Sequence, residues 1–232
     1  MTREHVRPRF LDDVPSGVIQ VCAECNVRAG RAQAEDYDGF KRSANKEQYK
    51  PFLSAVYEIE ALLLVRMPDE RLAKSFTRIL FASVITSVET YLADTFLSFV
   101  QNSPALLRRC VEQIPELKER KLDLGAIFGR YEGLGNEVRD YLLGVIFHDL
   151  AKVNRMYQSV LDVHFPKEMG DLYRAVKLRH DIVHRSGKSK QGASQVISAS
   201  DLRTLVAQVK KFIGHIEEQL AANASREATV DE

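Results

Sequence analysis

Apolar residues at Phe52, Val56, Ile59 and Leu63 recur every three to four positions, the period of one face of an α-helix. They predict a first helix over 47–67, closed by Pro68, which cannot continue it. The stretch RLAKSFTRILFASVITSVETYLADTFLSFV follows, within a second helix over 69–101. It is apolar around most of its circumference, which suits a helix at the centre of a bundle. After Pro104 the pattern predicts shorter helical pieces at 106–111 and 115–131, then a glycine-rich break at EGLGN, 132–136. Periodicity resumes with Val138, Tyr141, Leu142, Val145 and Ile146 and runs to about 164, before Pro166 interrupts it. A helix over 167–185 comes next, with Gly187 as its stop. The loop 186–199 contains QVI, a candidate for a brief strand. Ser198 with Asp201 reads as a capping box for a last helix, striped by Leu202, Leu205, Val209, Phe212, Ile213 and Ile216.

These elements divide the chain into a polar, mostly irregular N-terminal arm (1–45), a helical domain (46–220) and a tail expected to be disordered (221–232). In the arm, VIQVCAECNV suggests a short strand or hairpin. Strands do not alternate with helices, and there is no glycine-rich phosphate loop and no GxSxG elbow. The fold class is therefore all-α, a helical bundle.

Composition narrows the picture. With 232 residues, 45% of them hydrophobic and 28% charged, the chain can bury one good core. Lys and Arg (33) nearly balance Asp and Glu (32), so the formal charge of +1 supplies no bulk attraction to nucleic acid or anionic membrane. Any nucleic-acid contact must come from a local basic patch. The opening MTREHVRPRFLDDVPSG has no apolar segment fit for a signal peptide, and the apolar runs read as too short for a membrane span. The expectation is a cytoplasmic protein with no membrane partner. Three cysteines do not make a disulfide framework. Cys22 and Cys25 form a CxxC, but no second pair follows to complete a zinc site, so neither metal nor cofactor is expected.

The chemistry concentrates in LRHDIVHRSG, 178–187. On a helix, Leu172, Val176, Arg179 and Val183 fall on one stripe, which places an arginine among apolar residues. Such an arginine needs a partner, and Glu89 is the candidate, because its helical neighbours Ala82, Ile85, Leu92, Ala93 and Phe96 make it a carboxylate on an apolar face. Tyr173, Lys177, His180 and His184 form an adjacent stripe that is polar, basic and titratable, while Asp181 and Arg185, four apart, can pair on the outside. A packing ion pair and a helix end favoured by its dipole explain part of this pattern. HDIVH also offers two histidines at zinc-binding spacing, but Asp181 stands where a metalloprotease needs Glu and no downstream ligand motif follows.

Arg179, His180, Asp181, Ile182, Val183 and His184 together resemble the Rx4-6H signature of HEPN domains. The order of elements over 47–220 is also similar: two long helices early, TSVETYLADTF in the second, a helix ending RHDIVHRSGK and a closing amphipathic helix. Among HEPN proteins the stretch looks most like stand-alone bacterial defence members such as the RiboL-PSP group. The resemblance implies a metal-independent endoribonuclease, a toxin or antiphage effector, acting on RNA as a homodimer in which the Arg/His helices meet. An antitoxin or defence-system protein is an implied partner.

On that reading His184 does acid–base work, Arg179 neutralises the scissile phosphate or orients the histidine, and His180 positions substrate or shares proton transfer. Glu89, Asp181, Tyr173 and Lys177 support them, and Arg185, Lys188 and Lys190 gather phosphates. Some antitoxin-regulated members carry Tyr two residues after the histidine. Ser186 stands there instead, which puts that mode of control in doubt. Arg179 and His184 are five residues apart, so on an ideal helix their side chains diverge by roughly 140°. One protomer is thus expected to hold an incomplete site, which a two-fold axis would complete.

Overall fold

A computed structural model describes residues 46–185, 187–188, 192–193 and 195–230. The expected N-terminal arm with Cys22, Cys25 and its strand or hairpin lies outside the described residues, as do Ser186 and Lys190. Among the described residues the fold is all-α, as the periodicity predicts.

Helix α1 (Lys46–Leu62) buries Tyr49, Phe52, Leu53, Val56 and Ile59. It stops short of the predicted residue 67 because the chain tightens first, Leu64 and Val65 donating back to Ala61 and Leu62 at 3.1 Å. Helix α2 (Glu70–Asn102) starts where the Asp69 carboxylate accepts the Leu72 N–H at 2.8 Å. It packs against four long neighbours: α1, α5 (Ile127–Leu143), α7 (Gly170–Arg185) and α8 (Ala199–Val230). A helix touched on so many sides must be apolar on most of them, which explains its diffuse hydrophobic pattern. By length and composition α2 could also cross a membrane, contrary to the reading of the sequence, and half of its apolar window is buried within the protein.

Ser103 ends α2 and caps α3 (Pro104–Gln113), its Oγ accepting the Leu106 N–H at 3.3 Å, and α4 is a single turn (Pro115–Lys118). The helix expected over 115–131 is not continuous: a 3-10 turn at Leu124–Ala126 separates α4 from α5. Nor does EGLGN break the chain, since α5 runs straight through it. Each glycine costs a helix only about 1 kcal/mol relative to alanine. Burial of Val138 and Leu142 and a double clamp on Glu137, from Arg120 at 2.5 Å and Arg130 at 2.6 Å, hold the helix regardless. The break falls instead at 144–149, splitting the helix expected to continue to 164. Helix α6 (Leu150–Met156) then widens into a π turn, Tyr157–Leu161, closed by left-handed Asp162 (φ 54°).

The last helix does not yield to a disordered tail at 221 but continues to Val230. AANASREA is composed mostly of adequate helix formers, and the Asn223 amide ties the helix to the Leu161 and Asp162 carbonyls at 3.0 and 3.2 Å. Its start follows the predicted box: Ser198 N–H donates to the Asp201 carboxylate at 2.8 Å, and Asp201 N–H to Ser198 Oγ at 3.1 Å. QVI forms no strand; Gln195 N–H makes one bond across to the Gly187 carbonyl at 2.8 Å. The aromatic core joins the layers, with Tyr157 between Phe96 and Phe165 and its hydroxyl donating to the Leu92 carbonyl at 2.7 Å.

Candidate active site at the end of α7

Helix α7 enters the core and leaves it again. Leu172 and Ala175 are buried and Val176 half-buried, but Val183 is 52% exposed, so the predicted apolar stripe ends one turn before the helix does. Gly187 closes the helix with φ 79° and donates its N–H to the Asp181 carbonyl at 3.1 Å. A Cβ there would lie 2.8 Å from the movable Arg78 Nη1 of α2, so it is the left-handed conformation that calls for glycine.

Arg179 meets the predicted partner. Its Nη2 lies 3.4 Å from Glu89 Oε2, with the two side chains only 18% and 17% exposed. The pair is incompletely satisfied: Glu89 Oε1 and Arg179 Nε are buried and make no hydrogen bond among the described residues. The nearest ion-pair partner of Oε1 is His148 Nδ1, at 3.8 Å.

The titratable stripe is where the helical spacing puts it. Tyr173, Lys177, His180 and His184 are all exposed, and the His180 and His184 rings sit 4.5 Å apart at 44°. Desolvation by neighbouring groups, then the positive character of His184 and Arg185, hold the His180 imidazole below its ordinary range. Asp181 pairs with Arg185 as expected, but not on the outside: Asp181 is 7% exposed and its carboxylate turns inward beneath the helix end. It therefore anchors Arg185 rather than facing a ligand. Lys188 is exposed just past the turn.

His148 is the residue that sequence reasoning misses. It stands in the 144–149 break between α5 and α6 and lines a cleft of about 730 Å³ together with Asp140, Tyr141, Asp149 and Lys152. A lone histidine in a segment read as continuous helix carries no periodic signal; only the true position of the break would have flagged it.

Compared with family models, curated proteins and solved structures, the chain matches none. The site must speak for itself. It brings together one arginine paired with a carboxylate, two exposed imidazoles tilted against each other with centroids 4.5 Å apart, and a third imidazole 3.8 Å from the other oxygen of that carboxylate. Among the described residues no group of three His, Cys, Asp or Glu side chains is placed to hold a metal ion. Proton transfer and anion stabilisation are what these groups can do.

Proposed function

We propose that the protein is a metal-independent endoribonuclease of the HEPN type, which cleaves RNA by attack of a 2′-hydroxyl on the adjacent phosphodiester. The observation that carries this reading is the exposed His180–His184 pair beside Arg179, whose guanidinium Glu89 holds at the helix end. A module that kept the motif only for packing would explain the Arg179–Glu89 contact. It would account for the two exposed imidazoles only through the helix dipole, which does not call for rings 4.5 Å apart.

The chemistry suits these groups. The 2′-oxygen bonds to phosphorus as its proton passes to a neutral imidazole, and the P–O5′ bond breaks as a proton reaches the leaving oxygen. The products are a 2′,3′-cyclic phosphate and a 5′-hydroxyl, with no net uptake of protons. His184 is the principal acid–base group, His180 shares proton transfer, and Arg179 stabilises the charge of the phosphorane. Lys177, Arg185 and Lys188 gather the flanking phosphates, with Lys190 as a further candidate. A homodimer that packs the face carrying Tyr173, Lys177, His180 and His184, all exposed, against its own image is the assembly this reading requires. A role as a toxin or antiphage effector, restrained by a partner protein, follows from the resemblance.

The test is incubation of the purified protein with mixed RNA in EDTA. Cleavage by wild type that His184→Ala abolishes supports the reading. Intact RNA favours the binding module, and cleavage that requires added metal favours a different chemistry.

A further inference from the structure

Glu89 is placed to do more than hold Arg179. Its Oε2 faces the guanidinium at 3.4 Å, while Oε1, also buried, has no hydrogen bond and points to His148 Nδ1 at 3.8 Å. A buried acceptor left unpaired is costly, and a shift of the ring by about 1 Å would make a hydrogen bond. That bond fixes the tautomer with the proton on Nδ1. Nε2 then lies on the ring edge away from the carboxylate, on a side chain that is 38% exposed and lines the cleft beside α5 and α6. A carboxylate that orients an imidazole through Nδ1 and leaves Nε2 open is the arrangement of an acid–base dyad.

We propose that Glu89 and His148 form such a dyad, and that His148 Nε2 is a second proton-transfer group working opposite the His180–His184 pair. The inference rests on the ribonuclease reading for its substrate. Cleavage needs two groups, one to take the 2′-hydroxyl proton and one to protonate O5′ as its bond to phosphorus breaks. An imidazole backed by a carboxylate is suited to the second task, because the carboxylate stabilises the imidazolium that donates. Glu89 sets the spacing between cation and acid, since its two oxygens lie 3.4 Å from Arg179 Nη2 and 3.8 Å from His148 Nδ1. The groups around His148 are Glu89 of α2, which also pairs with Arg179, then His180, whose ring feels the charge of His148, and Asp140, Asp149 and Lys152 in the cleft.

Two measurements on the full chain test this. In ¹⁵N-resolved NMR of the imidazoles, with His148→Ala for assignment, neutral His148 should carry its proton on Nδ1; a proton on Nε2 would overturn the dyad. In RNA cleavage, His148→Ala should lower kcat by roughly 100-fold or more with KM little changed, and should melt slightly earlier because Glu89 Oε1 loses its donor. His148→Gln should not restore activity, because an amide can bond Glu89 but cannot shuttle a proton. Wild-type activity in either variant removes the dyad and leaves the ribonuclease reading standing, whereas absence of cleavage by the wild type removes that reading and the substrate named here.

Discussion

At Arg179, one side chain is asked to serve both packing and chemistry, and the two uses separate experimentally. Removing it leaves Glu89 as a carboxylate without its guanidinium on an apolar helix face. Breaking a fully buried pair costs about 3–5 kcal/mol; with both side chains retaining 17–18% exposure, about 1–3 kcal/mol is expected, or a fall of several degrees in melting temperature. Arg179→Ala should therefore lose RNA cleavage and melt earlier, while His184→Ala, exposed at the helix end, should lose cleavage and melt as wild type does. Calorimetry on the two variants checks the contrast.

His180 makes a separate prediction from its depressed pKa. The unfolded chain, with histidine near 6.5, takes up a proton before the folded chain does. The stability tied to His180 is thus fully present above about 6.5 and is lost as pH falls through the lower folded value. Melting temperatures at pH 8 and pH 5 should differ less in His180→Asn than in wild type.

At the scale of the element, the turn that ends α7 governs the site, and Gly187 is its sensitive point. Gly187→Ala forces a left-handed conformation that costs an L-residue roughly 1–2 kcal/mol and drives Cβ toward Arg78. The variant should melt a few degrees lower and cleave RNA more slowly, because the last turn carrying His184 must shift; thermal melting and a kcat measurement follow both effects.

Much of this element was readable beforehand. Spacing alone put Arg179 against Glu89 and put His180 and His184 on one exposed stripe, since a 3.6-residue repeat fixes direction once the helix is granted. It could not show that Val183 leaves the core or that Asp181 enters it, because where a helix end parts from its neighbours depends on α2 and on the Gly187 turn. Nor was the break at 144–149 readable. Three glycines in 129–135 are stronger local signals than Gly144, yet burial of Val138 and Leu142 overrides them, and His148 was hidden with the break it occupies.

For the whole molecule, an overall charge of +1 leaves RNA binding to a local patch, and the divergence of Arg179 and His184 asks for a second copy of α7. Arg179 turns in to Glu89 while His184 faces solvent, as the helical angle requires. If two protomers pair across this face, subunit exchange between wild type and His184→Ala should yield a heterodimer with far less than half the wild-type activity; half would mean one independent site per chain. The central claim, that this helix end cuts RNA through the 2′-hydroxyl without metal, is tested most directly by the ends it leaves. In EDTA, a single-stranded RNA should yield a 2′,3′-cyclic phosphate and a 5′-hydroxyl, and one 2′-deoxynucleotide placed 5′ to the mapped scissile bond should stop cleavage there; 5′-phosphate ends, or undiminished cleavage at the deoxy position, would contradict it.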